Sequence, residues 1–335
     1  MRRCLALAAL LCLGAVPARL RALAAGADFL RAEIPARPAA LAGAFVAFYD
    51  DANAFLWNPA ALGRVSQPLL GATHFTSIVD TQFNHASFAQ PLNLWGTKAG
   101  LGFSIQHSST SDFNQTDLAG NDLGAVENYD LVLGAAGGMA LTRTLRMGVG
   151  VKAFNSRLAE FRSRGVAVDV GGQSDLNDRV TLGVALVDVG VQEAYDKVAD
   201  PLPTLLRLGA RGVLVDSPEV LIQATTQLDR PWSTNGNIEL GVGAEYWYQR
   251  VLVLRAGWRF GVDLGPFSLG AGFKWQGFTL DYAYNTLGDL GMTHRFSLGA
   301  ELGTLFQRAG WTVPAIQGLR PDAGPRHVGA PEESR

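Results

Sequence analysis

The sequence predicts an all-β protein: a transmembrane antiparallel β-barrel of about 14 strands with an N-terminal, partly helical plug. Three observations predict it. From Leu69 onward, apolar and polar residues alternate with a period of two, the mark of a strand with one apolar face. Charged residues make up only 17% of the chain, against roughly 25% in soluble domains, yet after the first thirty positions no run of about 18 apolar residues could span a bilayer as a helix. The connections alternate between short turns and longer loops, as in barrels with short periplasmic turns and long outer loops.

The chain begins with a segment of its own. Arg2 and Arg3 precede an apolar stretch, Cys4 to Val16, followed by the small-residue patterns Val16-Pro17-Ala18 and Ala22-Leu23-Ala24. Residues 1–24 therefore read as a signal peptide, with cleavage between 18 and 25. Both cysteines, Cys4 and Cys12, lie within it. The exported chain would have no thiol, which excludes disulfides, thiolate catalysis and cysteine metal sites.

Residues 25–66 are alanine-rich and lack strand alternation; they form the predicted plug segment. Its most distinctive stretch runs from Gly43 to Ala60, with Asp50-Asp51 and Trp57-Asn58-Pro59-Ala60. Asp50 or Asp51 suits the cap of a short helix running to Trp57. Asn58 ends it, since the residue before proline avoids helical geometry, and a new turn can start with Pro59 at its first position.

The barrel is assigned to 67–306. Nine runs fit the alternation loosely: 68–78, 82–91, 97–107, 128–141, 145–155, 163–173, 179–189, 204–214 and 219–228. Five fit it cleanly: 237–247, 251–260, 267–275, 278–284 and 293–303. Longer loops are expected at 108–127, 190–203, 229–236 and 285–291.

The charged strand residues nearly all share parity with glycine and serine, opposite the apolar series. A lipid-facing Arg or Lys at mid-bilayer costs about 2–4 kcal/mol, so these residues must face the lumen. The clearest set is Glu239, Glu245, Arg255, Arg259, Lys274, Asp281, Arg295 and Glu301. It reads as a ladder of ion pairs closing the lumen, with Glu239 and Glu245 facing Arg255 and Arg259, Lys274 facing Asp281, and Asp50 and Asp51 as plug partners. A polar permeation path is the functional alternative. Trp247, Trp258, Trp275, Tyr282 and Tyr284 suit interfacial girdles. Residues 307–335, with Pro314, Pro321, Pro325 and Pro331, read as a flexible tail.

Enzymatic chemistry finds little support. His74, His85, His107, His294 and His327 are scattered, without metal-ligand spacing, and His107-Ser108-Ser109 has no nucleophile elbow beside it. Asp112, Asn114, Asp117, Asn121 and Asp122 offer oxygen ligands for calcium but not the EF-hand spacing, so a solvated loop is the expectation. The Gly-x-Gly pairs lie inside strands and open no helix; they ease curvature or leave room for the plug. No cofactor is implied, and a formal net charge of −2 argues against a nucleic-acid partner.

The Gly-Ala-Phe-x-Ala, Asp-Asp and Asn-Pro-Ala features at 43–60, with Leu280-Asp281-Tyr282-Ala283-Tyr284 and Gly288-Asp289-Leu290-Gly291 near the end, resemble PorV/PorQ-type outer-membrane proteins, a group related to the long-chain fatty-acid (FadL-like) transporters. The resemblance implies an outer-membrane barrel, surrounded by lipid, whose plug carries a gate at Asp50, Asp51, Trp57, Asn58, Pro59 and Ala60. It also implies two alternative roles: binding or transport of hydrophobic small molecules, or a non-enzymatic secretion accessory that docks envelope proteins. A general porin is the third reading.

Overall fold

The structure, a computed structural model, describes residues 26–308 except 78–79, 111–113, 117–118, 120, 127, 196–198, 233–235 and 263–264. The predicted signal peptide, the tail beyond Arg308 with His327, and Asp112 and Asp117 of the acidic loop lie outside the described residues.

Among the described residues sixteen strands follow the plug. They are β1 (Leu69–Thr76), β2 (Thr81–Leu94), β3 (Thr97–Thr110), β4 (Asn114–Thr116), β5 (Asp122–Ala125), β6 (Asn128–Ala140), β7 (Leu145–Leu158) and β8 (Phe161–Asp175), then β9 (Val180–Gln192), β10 (Leu205–Asp216), β11 (Val220–Pro231), β12 (Glu239–Tyr248), β13 (Leu252–Phe260), β14 (Phe267–Trp275), β15 (Phe278–Thr286) and β16 (Met292–Glu301). Fourteen of them close an antiparallel barrel, and β4 and β5 form a separate two-stranded sheet between β3 and β6. Closure runs through β1 and β16, which pair from Leu69 with Glu301 to Thr76 with His294. The barrel is closed, so backbone polar groups are satisfied within the wall except where one strand outruns its neighbour, as β9 does past Val187 and β2 past Ala89.

Alternation puts Leu101, Phe103, Ile105, Val149, Val151, Leu252, Leu254 and Leu298 on the exposed outer face. The intervening residues face the lumen, where Asp169, Arg211, Glu245, Arg255 and Asp281 are buried. The outer belt is the surface hydrocarbon covers.

The fourteen runs read from the sequence coincide with the fourteen barrel strands and differ at their ends. The last run stops early: β16 ends at Glu301 and the chain turns into a helix, Leu302–Arg308. β1 starts only at Leu69, so no partner strand remains below it; Leu302 instead donates its N–H to the Pro68 carbonyl at 2.9 Å. The predicted barrel–tail boundary at 306/307 therefore falls inside a helix. The alternation of turn lengths also breaks twice. β1 and β2 are joined at the long-loop end by 77–80 alone, no longer than the turns 141–144 and 176–179 at the other end. β7 and β8 are joined at the long-loop end by only Ala159 and Glu160, with Leu158 paired to Phe161.

The plug threads the lumen from the long-loop end to the short-turn end. It contains a 3-10 turn at Asp28–Arg31, short helices at Ala36–Ala40 and Ala54–Trp57, and a 3-10 segment at Pro59–Arg64. Ala36–Ala40 packs on β13 to β16, and Pro59–Arg64 packs on β2, β3, β6, β7 and β8. Leu41, Phe45, Phe48, Ala54, Trp57 and Ala61 form the plug's own apolar core, with the Phe45 and Phe48 rings stacked at 4.4 Å.

Candidate functional site

The plug is held by two kinds of contact. The first is a buried chain of charge. Arg37, in the Ala36–Ala40 helix, donates from Nε and Nη2 to both oxygens of Glu245 at 2.8 and 2.9 Å. Arg255 donates from Nε to Glu245 at 2.6 Å and from Nη1 to Asp281 at 2.6 Å. Gln223 adds another donor to Glu245. Arg37 also reaches Asp50 and Asp51, at 3.4 and 3.5 Å, and Arg211 reaches Asp50 at 3.5 Å. Burial alone would push the Asp50 carboxyl up, but Arg211 and Arg37 outweigh it and hold it at about 2. Burial wins at Asp51, whose carboxyl lies above its ordinary value. Asp50's contribution to docking is therefore full above the ordinary carboxylate range of about 4 and fades as the pH falls toward 2.

The second is a wedge. Asn58 is fully buried. Its Oδ1 accepts from the Ala60 N–H at 3.1 Å. Its Nδ2 donates to the carbonyls of Val46 and Gly172 at 3.0 Å and of Val184 at 3.3 Å. One side chain thus caps the Pro59–Arg64 turn and ties two plug segments to β8 and β9. The wall makes room with glycine: a Cβ on Gly171 would lie 2.0 Å from Asn58 Oδ1, and one on Gly148 2.4 Å from the Pro59 carbonyl. Asn58→Ala is expected to lower stability by about 1–3 kcal/mol, because buried carbonyls lose their donor; the thermal midpoint in detergent reads this out.

Most predicted site residues come together here. Trp57 donates from Nε1 to the Gly43 carbonyl at 3.0 Å and packs edge-on against Phe45. Glu239 pairs with Arg31 at 2.8 Å and Arg259 at 3.6 Å, and Arg259 also pairs with Glu33. The expected helix cap is displaced, since Asp51 accepts from the Asn53 N–H rather than from inside the Ala54–Trp57 helix. Three readings need correction. Lys274 pairs with Glu301, not Asp281, because β14 and β15 set Lys274 opposite Thr279 and Asp281 opposite Gly272. Among the described residues Arg295 joins no ion-pair ladder: it donates to Asn285 and lies 4.5 Å over the Phe75 ring. Trp247 is no girdle residue; at 9% exposure it shares the inward parity of Glu245, with Arg255 5.6 Å over its ring.

Sequence reading missed Arg37 and the uncharged wall amides that hold the plug backbone. Gln173 Nε2 donates to the Val46 and Phe48 carbonyls at 3.0 and 2.8 Å. Gln227 accepts from the Phe45 and Val46 N–H groups. The available signal was an amide at an inward position of an apolar strand.

At the plug's outer end, its Phe29 and Leu30 pack into an apolar niche of Val132, Phe154, Ala167 and Leu202, with Phe29 edge-on to Phe154 at 5.5 Å. The wall is interrupted beside this niche. β9 and β10 pair only up to Val187 with Leu205, and Asp188 adopts φ 59° at a register shift between β8 and β9. Lys152 bridges Asp169 and Asp188 there, at 2.9 and 2.6 Å. Segment 199–204 lies across the break: Thr204 donates to the Asp188 carbonyl, and Gly26 to that of Pro201. Below the plug, a cavity of about 1480 Å³ opens at the short-turn end, lined by Tyr49, Arg64, Leu92, Leu141, Arg146 and Phe306 among others.

No family model and no curated protein matches the chain. Solved structures do. The Ralstonia pickettii toluene transporter TbuX is 14% identical, with a TM-score of 0.55 over 78% of this chain and 96% of that one. The Pseudomonas putida toluene transporter TodX is 14% identical, with a TM-score of 0.53 over 78% and 95%. A Pseudomonas aeruginosa FadL homologue is 13% identical, with a TM-score of 0.52 over 80% and 97%. The chain has the fold of these proteins.

Proposed function

We propose that the chain is an outer-membrane channel for hydrophobic small molecules, with the plug as its gate and no enzymatic step. One observation carries this: the apolar niche around Phe154 lies on the plug's outer side, beside the one place where β9 loses its β10 partner. An apolar molecule taking the place of Phe29 and Leu30 there would meet only apolar side chains, its own burial offsetting that of the side chains it displaces. The solved barrels of like fold include two named as toluene transporters, which supports this reading. The lumen charges counter the porin reading, because they are spent on plug and wall partners rather than lining an open path. The secretion-accessory role draws on the motif likeness alone.

Equilibrium binding of a labelled aromatic hydrocarbon to the purified barrel tests the proposal. Saturable binding is expected, weakened about tenfold in Phe154→Ala through lost apolar contact. Steady ion conductance in planar bilayers with no hydrocarbon binding would establish the porin reading instead.

A further inference from the structure

The outer wall departs from its apolar rule on the β7–β8 hairpin. The lipid-facing residues of β8 run Val170, Val168 and Val166, then Arg164 and Arg162, all exposed. Arg164 stands opposite Asn155, and Arg162 opposite Arg157; Arg157 in turn stands opposite Tyr129 on β6. All share the outward parity of Val149 and Val151. His107 of β3 stacks on Tyr129 at 6.3 Å. Three guanidiniums and a set of hydrogen-bonding side chains thus crown a hydrocarbon-facing belt.

Arginine on the lipid face is penalised heavily at mid-bilayer and hardly at all near the interface, so this rung lies at the belt's upper edge. It is the edge at the long-loop end, which faces outward in such barrels. The turn above it is only Ala159-Glu160, so its own hairpin sends no loop over the patch. Among the described residues, neither Arg162 nor Arg164 pairs with a carboxylate, and the side chains of nearby Glu160 and Glu193 form no ion pair with them.

We propose that Arg162 and Arg164 bind the phosphate-bearing headgroup of a lipid in the surrounding outer leaflet, with its acyl chains packed on Val166, Val168 and Val151. The guanidinium fork matches phosphate oxygens in two-pronged geometry. Tyr129, Asn155 and His107 supply further polar contacts for the sugar or glycerol next to the phosphate. A basic residue at a charged membrane surface strengthens such binding severalfold, and two compound.

The test uses the full barrel in detergent with purified lipid A, a bisphosphorylated glycolipid, and native mass spectrometry to count bound lipid. Wild type is expected to retain it, and Arg162→Gln/Arg164→Gln to bind about thirtyfold more weakly. Arg250→Gln, an exposed arginine at the opposite end, should leave binding unchanged. Heat-modified gel mobility confirms that each variant is folded. Equal retention by the double variant overturns the proposal. So does displacement by millimolar inorganic phosphate, which would mark a site for a free anion.

Discussion

Glu245→Ala is expected to release the plug's inner half while the barrel stays closed. Glu245 is 1% exposed and accepts from Arg37 on the plug and Arg255 on the wall. Its removal takes the two shortest hydrogen bonds from Arg37, leaving only Asp50 and Asp51 at 3.4 and 3.5 Å, and breaking a buried pair from one side costs about 3–5 kcal/mol. The loss falls on docking rather than on the barrel, whose wall is closed by backbone ladders that do not involve the side chain. Arg255 keeps Asp281, so the wall loses less than the plug does. Amide exchange across 36–44 should accelerate about a hundredfold or more, with strand amides little changed. Glu245→Gln keeps an acceptor for one arginine and should show a smaller effect. If exchange rises equally in plug and wall, Glu245 supports the barrel as a whole and the latch assignment fails.

The legible part of this fold was what the bilayer enforces. Hydrocarbon on one side of every strand leaves a period-two pattern, clean in five runs and looser in nine, so the strands, their number and most of the inward set were readable. Pairing was harder to read. Glu245 with Arg255 was reachable because those strands are joined by a tight turn and sit in direct register. Lys274 was misassigned because its true partner, Glu301, is two strands away around the wall and meets it only at the rim. Trp247 was misread because an aromatic near a strand end fits both a girdle and a lumen, and only parity decides between them. The plug was legible at Asn58-Pro59, where capping and proline geometry act locally. It was illegible at Arg37, since a lone arginine in Ala36-Arg37-Pro38-Ala39 gives no local hint that a carboxylate 208 residues away awaits it.

The wall glycines give the second large expectation. The plug's irregular backbone lies against the inner wall with no room for side chains at certain positions. A Cβ on Gly148 would sit 2.4 Å from the Pro59 carbonyl, and one on Gly183 2.4 Å from the Val46 carbonyl. In both cases the obstruction is plug backbone, which cannot rotate away as a side-chain tip could. Gly148→Val and Gly183→Val are each expected to cost about 1–3 kcal/mol of overpacking. Asn58 joins the two contact points, because it donates to the Val46 carbonyl and directly precedes Pro59, so the double variant should cost more than either single one without simply summing them. Since β7 and β9 are held in the closed ladder and the plug is not, the plug is the part that moves. Ion conductance should therefore appear in planar bilayers where wild type shows little, and it should appear most strongly in the double variant. Gly212→Val is the matched comparison, since a Cβ there meets nothing within 4 Å. It should conduct like wild type, and conductance from it would mean that any added bulk in the wall, rather than eviction of the plug, opens the barrel.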